Sequence, residues 1–246
     1  MKEGAAHITV IHMGSTLIPI NTPKSAHGWW GTEASKEGMP LSNVGLLYVG
    51  GVLFLNSIML LGKVEGKSAG IFNLFVGVLQ VITPLYLIMT AGGDTAAILG
   101  AAGIFLFGFT YLYVGITNLC NLDTTGVGWY SLWVAILAIG FSLVNFITFG
   151  DMKFGIIWLM WAFLWTLFFI LLGLKRDIGR YTGFVTLIQS WVTAAIPAFL
   201  SMTGLWNDIP SGLVWVITLL CAAAFVYLYF AAKPASRKEP TNTVPA

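Results

Sequence analysis

"FGIIWLMWAFLWTLFFILLG", Phe154 to Gly173, carries no charge and puts three tryptophans, Trp158, Trp161 and Trp165, into eight residues. Its length matches the roughly 20 residues a helix needs to cross a bilayer. Tryptophan in a membrane span usually sits at the headgroups, yet Trp165 falls near the middle of this one. Phe154, Trp158, Trp161 and Trp165 are spaced 4, 3 and 4, which stacks them on one helix face. From Trp158 to Trp165 the helix rises about 10 Å at 1.5 Å per residue. The indoles therefore form a ladder through the membrane depth, not a belt at one level. Large rings packing between helices is one reading and the lining of a cavity is the other. Membrane interfaces prefer small residues, so a deep indole ladder needs a gap to fill.

The rest of the chain is of the same material. Of 246 residues, 57% are hydrophobic and 9% charged, against about 25% charged in a soluble domain; the mean hydropathy is +0.85. Seven apolar runs are long enough to span, near 43–62, 68–90, 96–120, 127–149, 154–174, 181–203 and 212–232. Connectors as short as "GKVEGK", "AGGDT" and "GDMK" make sequential helices antiparallel neighbours. The fold class expected is an all-α integral membrane protein. Lys63 and Lys67 lie in the first connector, Lys175, Arg176 and Arg180 in the fifth, and Lys233, Arg237 and Lys238 after the seventh run, whereas the opposite-side connectors hold Lys153 alone. The positive-inside rule then predicts an outer N-terminus and a cytoplasmic C-terminus.

Residues 1–42 hold all three histidines, His7, His12 and His27, and no apolar run long enough to span. They lack the plan of a secretory signal and are expected to be a disordered extension, with Met39 an alternative start close to the first helix. The tail 233–246 is expected to be a disordered cytoplasmic segment. Between them lie a six-helix domain, 43–203, and a further span, 204–232.

The 22 charged residues all fall outside the predicted spans. Pumps and proton-coupled carriers need ionisable groups inside the membrane, a retinal protein needs a lysine in its last helix, and a metalloenzyme needs His, Asp or Glu ligands. No cofactor or metal is therefore expected. Enzymatic amide hydrolysis is disfavoured for want of a nucleophile, base or metal. A net charge of +2 is too small to suggest a nucleic-acid partner. Cys120 and Cys221 read as small packing residues. What remains is a conduit for something neutral, or a bundle without a conduit. Within the third run, "FGFTYLYVG", Phe109 and Tyr113 are four apart and share a face. Asn73, Gln80, Gln189, Ser190 and Thr193 are deep polar side chains that either join helices or touch solute. A weak internal echo links "LLYVGGVLFLN" of the first run to "YLYVGITNLCN" of the third.

"LLYVGGVLFLN", "GKVEGKSAGIFNLFVG", "LFGFTYLYVGITN", "GWYSLWVAI" and "IIWLMWAFLW" resemble, in order and spacing, the segments of the acid-activated urea channel and short-chain amide transporter family (UreI/AmiS). The resemblance runs from about Ser42 to Thr203. It implies three repeated helical hairpins per protomer, a solute pathway through each protomer, and a homohexameric ring in membrane lipid. It also implies urea or short-chain amides as solutes and a cytosolic urease or amidase downstream, in a bacterial cytoplasmic membrane. The lining it implies is Leu46, Val49 and Leu53 from the first helix, Phe109 and Tyr113 from the third, Phe154, Trp158, Trp161 and Trp165 from the fifth, and Gln189 from the sixth.

This lining suits such solutes. They are neutral, flat and dipolar, and an aromatic slot passes them while indole and amide groups offer passing hydrogen bonds; an ion would lose hydration without compensation. Two departures stand out. The first is the acid switch: the outer loops "AGGDT" and "GDMK" contain no histidine, and position 189 is Gln where acid-gated relatives carry Glu. Together these predict a constitutive, pH-insensitive conduit, its flux passive for want of counter-charge. The seventh helix is the other departure, expected to be peripheral. A proton-coupled carrier of the same solutes and a non-transporting seven-helix sensor are the alternatives.

Overall fold

A computed structural model describes residues 41–231. The extension, its alternative start at Met39, and the tail expected at 233–246 lie outside these residues, except that Leu41 and Ser42 already belong to the first helix. Seven helices are long and apolar enough to span a membrane: α1 (Leu41–Leu60), α2 (Gly66–Thr90), α3 (Thr95–Cys120), α4 (Thr125–Phe149), α5 (Met152–Gly173), α6 (Gly179–Met202) and α7 (Ser211–Ala231). No strand occurs among the described residues. Each helix starts one or two residues earlier than the hydropathy pattern predicts. As a result Lys67, Lys153 and Arg180, expected in connectors, lie in first turns. Apolar content marks the hydrocarbon core, whereas a helix continues into the headgroup layer, where a long basic side chain can reach water.

The connectors are short because their turns are locally satisfied. Asp94 caps α3 by accepting from the Ala96 amide at 2.9 Å, and Asp151 caps α5 by accepting from the Phe154 amide at 2.9 Å. Gly150 takes a left-handed φ of 65°, which glycine adopts without strain and which turns α4 sharply into α5. Up-and-down connection puts the α1–α2, α3–α4 and α5–α6 connectors at one end of the bundle, here the basic end. The α2–α3, α4–α5 and α6–α7 connectors lie at the other.

In lipid, helices associate through close packing and hydrogen bonds rather than hydrophobic expulsion. The closest seams follow small residues. Gly70 and Gly77 of α2 face Gly108 and Gly115 of α3; a Cβ on Gly77 would lie 2.8 Å from the Leu112 amide nitrogen, and one on Gly115 would lie 3.0 Å from the Gly70 carbonyl. Gly128 of α4 lies against the backbone of Gly173 in α5. Gly50 of α1 lies against Ala195 of α6, where a Cβ would come within 2.8 Å of the amide nitrogen. Polar pairs bolt other joints. Asn56 and Asn73 exchange amide hydrogen bonds of 3.0 and 2.6 Å between α1 and α2, and the Gln80 amide donates to the Gly45 carbonyl at 2.6 Å. Such bonds contribute about 0.6 kcal/mol each in membrane bundles. Asn73 and Gln80 are thus joiners of helices.

Helix α5 is the most enclosed, with 56% of its most apolar stretch buried, while α7 has 11%. Only Cys221 and Phe225 of α7 are buried, Phe225 stacking on Phe163 of α5 at 5.7 Å. The seventh helix is peripheral, as its sequence suggests.

Candidate functional site

The face of α5 that carries the indole ladder points into the centre of the bundle. Phe154 and Trp158 are fully buried, Trp161 is 1% exposed and Trp165 is 6% exposed. An interfacial role for Trp158 is thereby removed; the indoles on the outside of the bundle come instead from Trp129, Trp133 and Trp191, each more than half exposed. Trp158 meets Trp161 edge to face at 5.0 Å and stacks on Phe141 of α4 at 4.7 Å. Gly103 of α3 leaves room for it, since a Cβ there would lie 3.1 Å from the indole. Leu46, Val49 and Leu53 of α1 belong to the same buried cluster.

Helix α3 contributes a different pair from the one expected. Phe109 and Tyr113 are 50% and 40% exposed and face outward. Phe109 stacks on Phe105 at 5.6 Å over the groove between α3 and α4, and Tyr113 leans on Tyr130 at 6.5 Å. Phe107 and Tyr111, 4% and 3% exposed, point inward instead. Two residues along a helix turn the side chain by about 200°, so the two pairs occupy opposite faces. Phe107 is the hub of the ladder. Its ring lies 4.8 Å from Trp161, 4.8 Å from Trp165 and 6.0 Å from Trp158.

The internal echo carried the signal that would have found this register. Aligning Leu-Tyr-Val-Gly sets Tyr113 against Tyr48, which is also outward and 45% exposed. The same alignment sets Leu46, Val49 and Leu53 against Tyr111, Val114 and Asn118, and these last three all line the central cavity.

That cavity, about 80 Å³, occupies the half of the bundle nearest the basic end. Leu53, Phe107, Tyr111, Trp161 and Trp165 form its inner wall, and Thr117, Asn118 and Thr124 line it nearer the connectors. A water needs roughly 10–15 Å³ by this measure, so there is room for several, or for one molecule of urea's size. At the connectors Lys175 donates to Asp123 at 2.9 Å and to Thr124 at 3.1 Å. Hydrogen bonding from the Thr125 hydroxyl, then from Lys175, holds the Asp123 carboxyl down at about 2.

In the other half the buried polar atoms of the column are the notable feature. The Trp161 indole donates to the Thr193 hydroxyl at 2.9 Å. The Trp158 Nε1 and both side-chain amide atoms of Gln189 have no partner, although both residues are completely buried. Gln189 immediately precedes, and Thr193 lies within, a π-helical turn, Ser190–Ala195, in the middle of α6. Such turns are rare and concentrate at functional positions. Among the described residues no group of His, Cys, Asp and Glu could hold a metal ion.

Fold and column together define a multi-pass helical membrane protein built around an internal, uncharged aromatic path. The chain belongs to the AmiS/UreI family: residues 41–205 match the model of the "AmiS/UreI family transporter". It is 50% identical over 172 residues to the Rhodococcus erythropolis protein named "Putative transporter protein AmiS2", covering 70% of this chain and 84% of that one. It is 45% identical over 207 residues to the Mycolicibacterium smegmatis "Putative amidate substrates transporter protein", covering 84% and 97%. The fold matches the Helicobacter pylori urea channel in its closed state with a TM-score of 0.62 and 35% identity, over 67% of this chain and 99% of that one. The family match ends at Leu205, so α7 lies beyond it.

Proposed function

We propose that this protein is a passive channel for urea or short-chain aliphatic amides, with one pathway through each protomer of a homohexamer. One observation carries the reading. A wholly buried aromatic column opens onto a cavity, and its unpartnered polar atoms, Trp158 Nε1 and the Gln189 amide, suit a neutral amide. A buried polar group left unpaired costs free energy, and a passing carbonyl or amino group removes that cost briefly. Gln189 offers both a donor and an acceptor, as an amide solute requires. The relatives named for amide substrates and for urea support the same solute class.

The pathway runs past Leu46, Val49 and Leu53 of α1, Phe107 and Tyr111 of α3, the α5 ladder, and Gln189. Transport is downhill and conduction rather than catalysis, in accord with a transporter family. The membrane is the bacterial cytoplasmic membrane, the basic end faces the cytosol, and a urease or amidase there consumes the solute. The basic residues of the α1–α2 and α5–α6 connectors support that orientation.

Stopped-flow uptake into proteoliposomes, comparing urea, acetamide, glycerol and water, tests the proposal. Saturation-free amide uptake that a protonophore leaves unchanged is the expected result. Uptake abolished by the protonophore would replace the channel with a proton-coupled carrier. No solute flux at all would leave a sensor.

A further inference from the structure

The α6–α7 connector makes contacts that six helices alone do not explain. After Gly204 it forms one 3-10 turn, Leu205–Asp208, and this places the Trp206 ring 5.7 Å from Phe154, the ladder's outermost rung. Phe154 sits in the first turn of α5, at the end of the bundle, yet it is completely buried. Trp206 is itself 5% exposed, although it lies in a connector. Its Nε1 is buried with no hydrogen-bond partner.

A lysine fixes this arrangement. Lys153 donates to the Trp206 carbonyl at 2.6 Å and to the Ile209 carbonyl at 3.2 Å. The same ammonium stands 4.8 Å from the centre of the Trp206 ring. Two charge-assisted bonds and a cation–π contact converge on one turn of backbone. That is a staple between the start of α5 and the segment leading to α7.

Resting on the channel reading above, we infer that Trp206 is the outermost constriction of the solute path, a size-selective cap positioned by Lys153. The indole continues the α5 ladder by one more ring, contributed from outside the six-helix unit. Its free N–H gives an entering amide carbonyl a first hydrogen bond before Trp158 and Gln189. Its bulk sets the upper size limit on the amide's alkyl group. Lys153 is a positioning residue, since it touches the connector and not the path.

Two readouts test this. A single-cysteine protein with Leu46→Cys, Cys120→Ser and Cys221→Ser, held in nanodiscs, is treated with the small neutral reagent methyl methanethiosulfonate. Leu46 is fully buried, so labelling is slow in the parent. Trp206→Ala raises its rate about tenfold, as removal of a lid would. Lys153→Gln shifts it the same way, and Lys153→Arg restores slow labelling, because a guanidinium reaches the same two carbonyls. In proteoliposomes, Trp206→Ala raises isobutyramide uptake relative to acetamide by about tenfold or more, the scale on which a hydrophobic pocket discriminates one methylene.

Unchanged labelling and an unchanged uptake ratio in a transporting protein would overturn the cap alone. A parent protein that passes neither amide would overturn the channel reading, while labelling still decides the cap. If Trp206→Ala does not fold, Lys153→Gln against Lys153→Arg decides, with the indole left in place. Equal labelling rates in those two would overturn the proposal.

Discussion

The Trp161 indole donates to the Thr193 hydroxyl at 2.9 Å, and Thr193 donates in turn to the Gln189 carbonyl at 2.6 Å. Two residues on neighbouring helices thereby fix one ring of the column in orientation. Trp161 is the indole whose polar atom is satisfied within the protein, while that of Trp158 is not. One is held, and the other is available.

Thr193→Val should release the Trp161 ring while keeping the volume of the site. The expected loss of stability is about 1–3 kcal/mol, because the buried Trp161 N–H is left without an acceptor. Amide uptake should fall several-fold as the ring samples other rotamers. Thermal unfolding in detergent and stopped-flow uptake measure the two effects. Wild-type uptake with a freed indole would mean that Trp161 orientation has no part in conduction.

Phe107→Ala and Phe109→Ala separate the inward face of α3 from the outward one. Phe107→Ala removes a ring packed on three indoles and should cost about 3–5 kcal/mol. It should also relax discrimination between acetamide and larger amides. Phe109→Ala should leave flux through a reconstituted protomer within a factor of about two, since its ring faces the outer groove. The reverse ranking would restore Phe109 and Tyr113 as the lining pair.

Gly128→Ala should destabilise the bundle by about 1–3 kcal/mol, the cost of overpacking, because the new methyl meets the Gly173 backbone. Gly140→Ala, on the same helix with open space around it, should be neutral or slightly stabilising. The difference in melting temperature between the two variants reads this directly.

Uptake of acetamide should stay flat between pH 7.5 and 5. Asp123 has its carboxyl lowered to about 2, by the Thr125 hydroxyl first and Lys175 second. A depressed carboxylate contributes stability above its unfolded value, about 3.9, and loses it as pH falls towards about 2, well below the tested range. Asp151 is raised by burial, with the Phe154 amide partly opposing. Its stability contribution therefore diminishes with rising pH, and its oxygen still accepts from Phe154 when protonated. A several-fold rise in uptake at pH 5 would show an acid gate, with the raised Asp151 as the first group to test.

How much of this was legible in the chain depends on what each segment had to say. Seven spans followed from length and apolar content, with ends misjudged by one or two residues, because hydropathy marks lipid depth and not helix caps. The α5 ladder was legible because aromatic residues at 4, 3 and 4 can share only one face. Helix α3 was not, since "FGFTYLY" puts aromatic residues on both faces and periodicity alone cannot rank them. Only its register against α1, through Leu-Tyr-Val-Gly, distinguishes Tyr111 from Tyr113. Trp206 was invisible for another reason. A lone tryptophan in a short connector carries no pattern, and its place beside Phe154 arises from the fold of α5 against α6.

The glycine and alanine contacts pair α2 with α3, α4 with α5, and α1 with α6. Each seam is made by backbone meeting backbone, so its geometry is indifferent to which large side chains point inward. Natural variation can therefore exchange a phenylalanine for a leucine along the column without disturbing the scaffold around it. Solute preference becomes a property that can drift by single substitutions, while enlarging a glycine at a seam strains the scaffold itself.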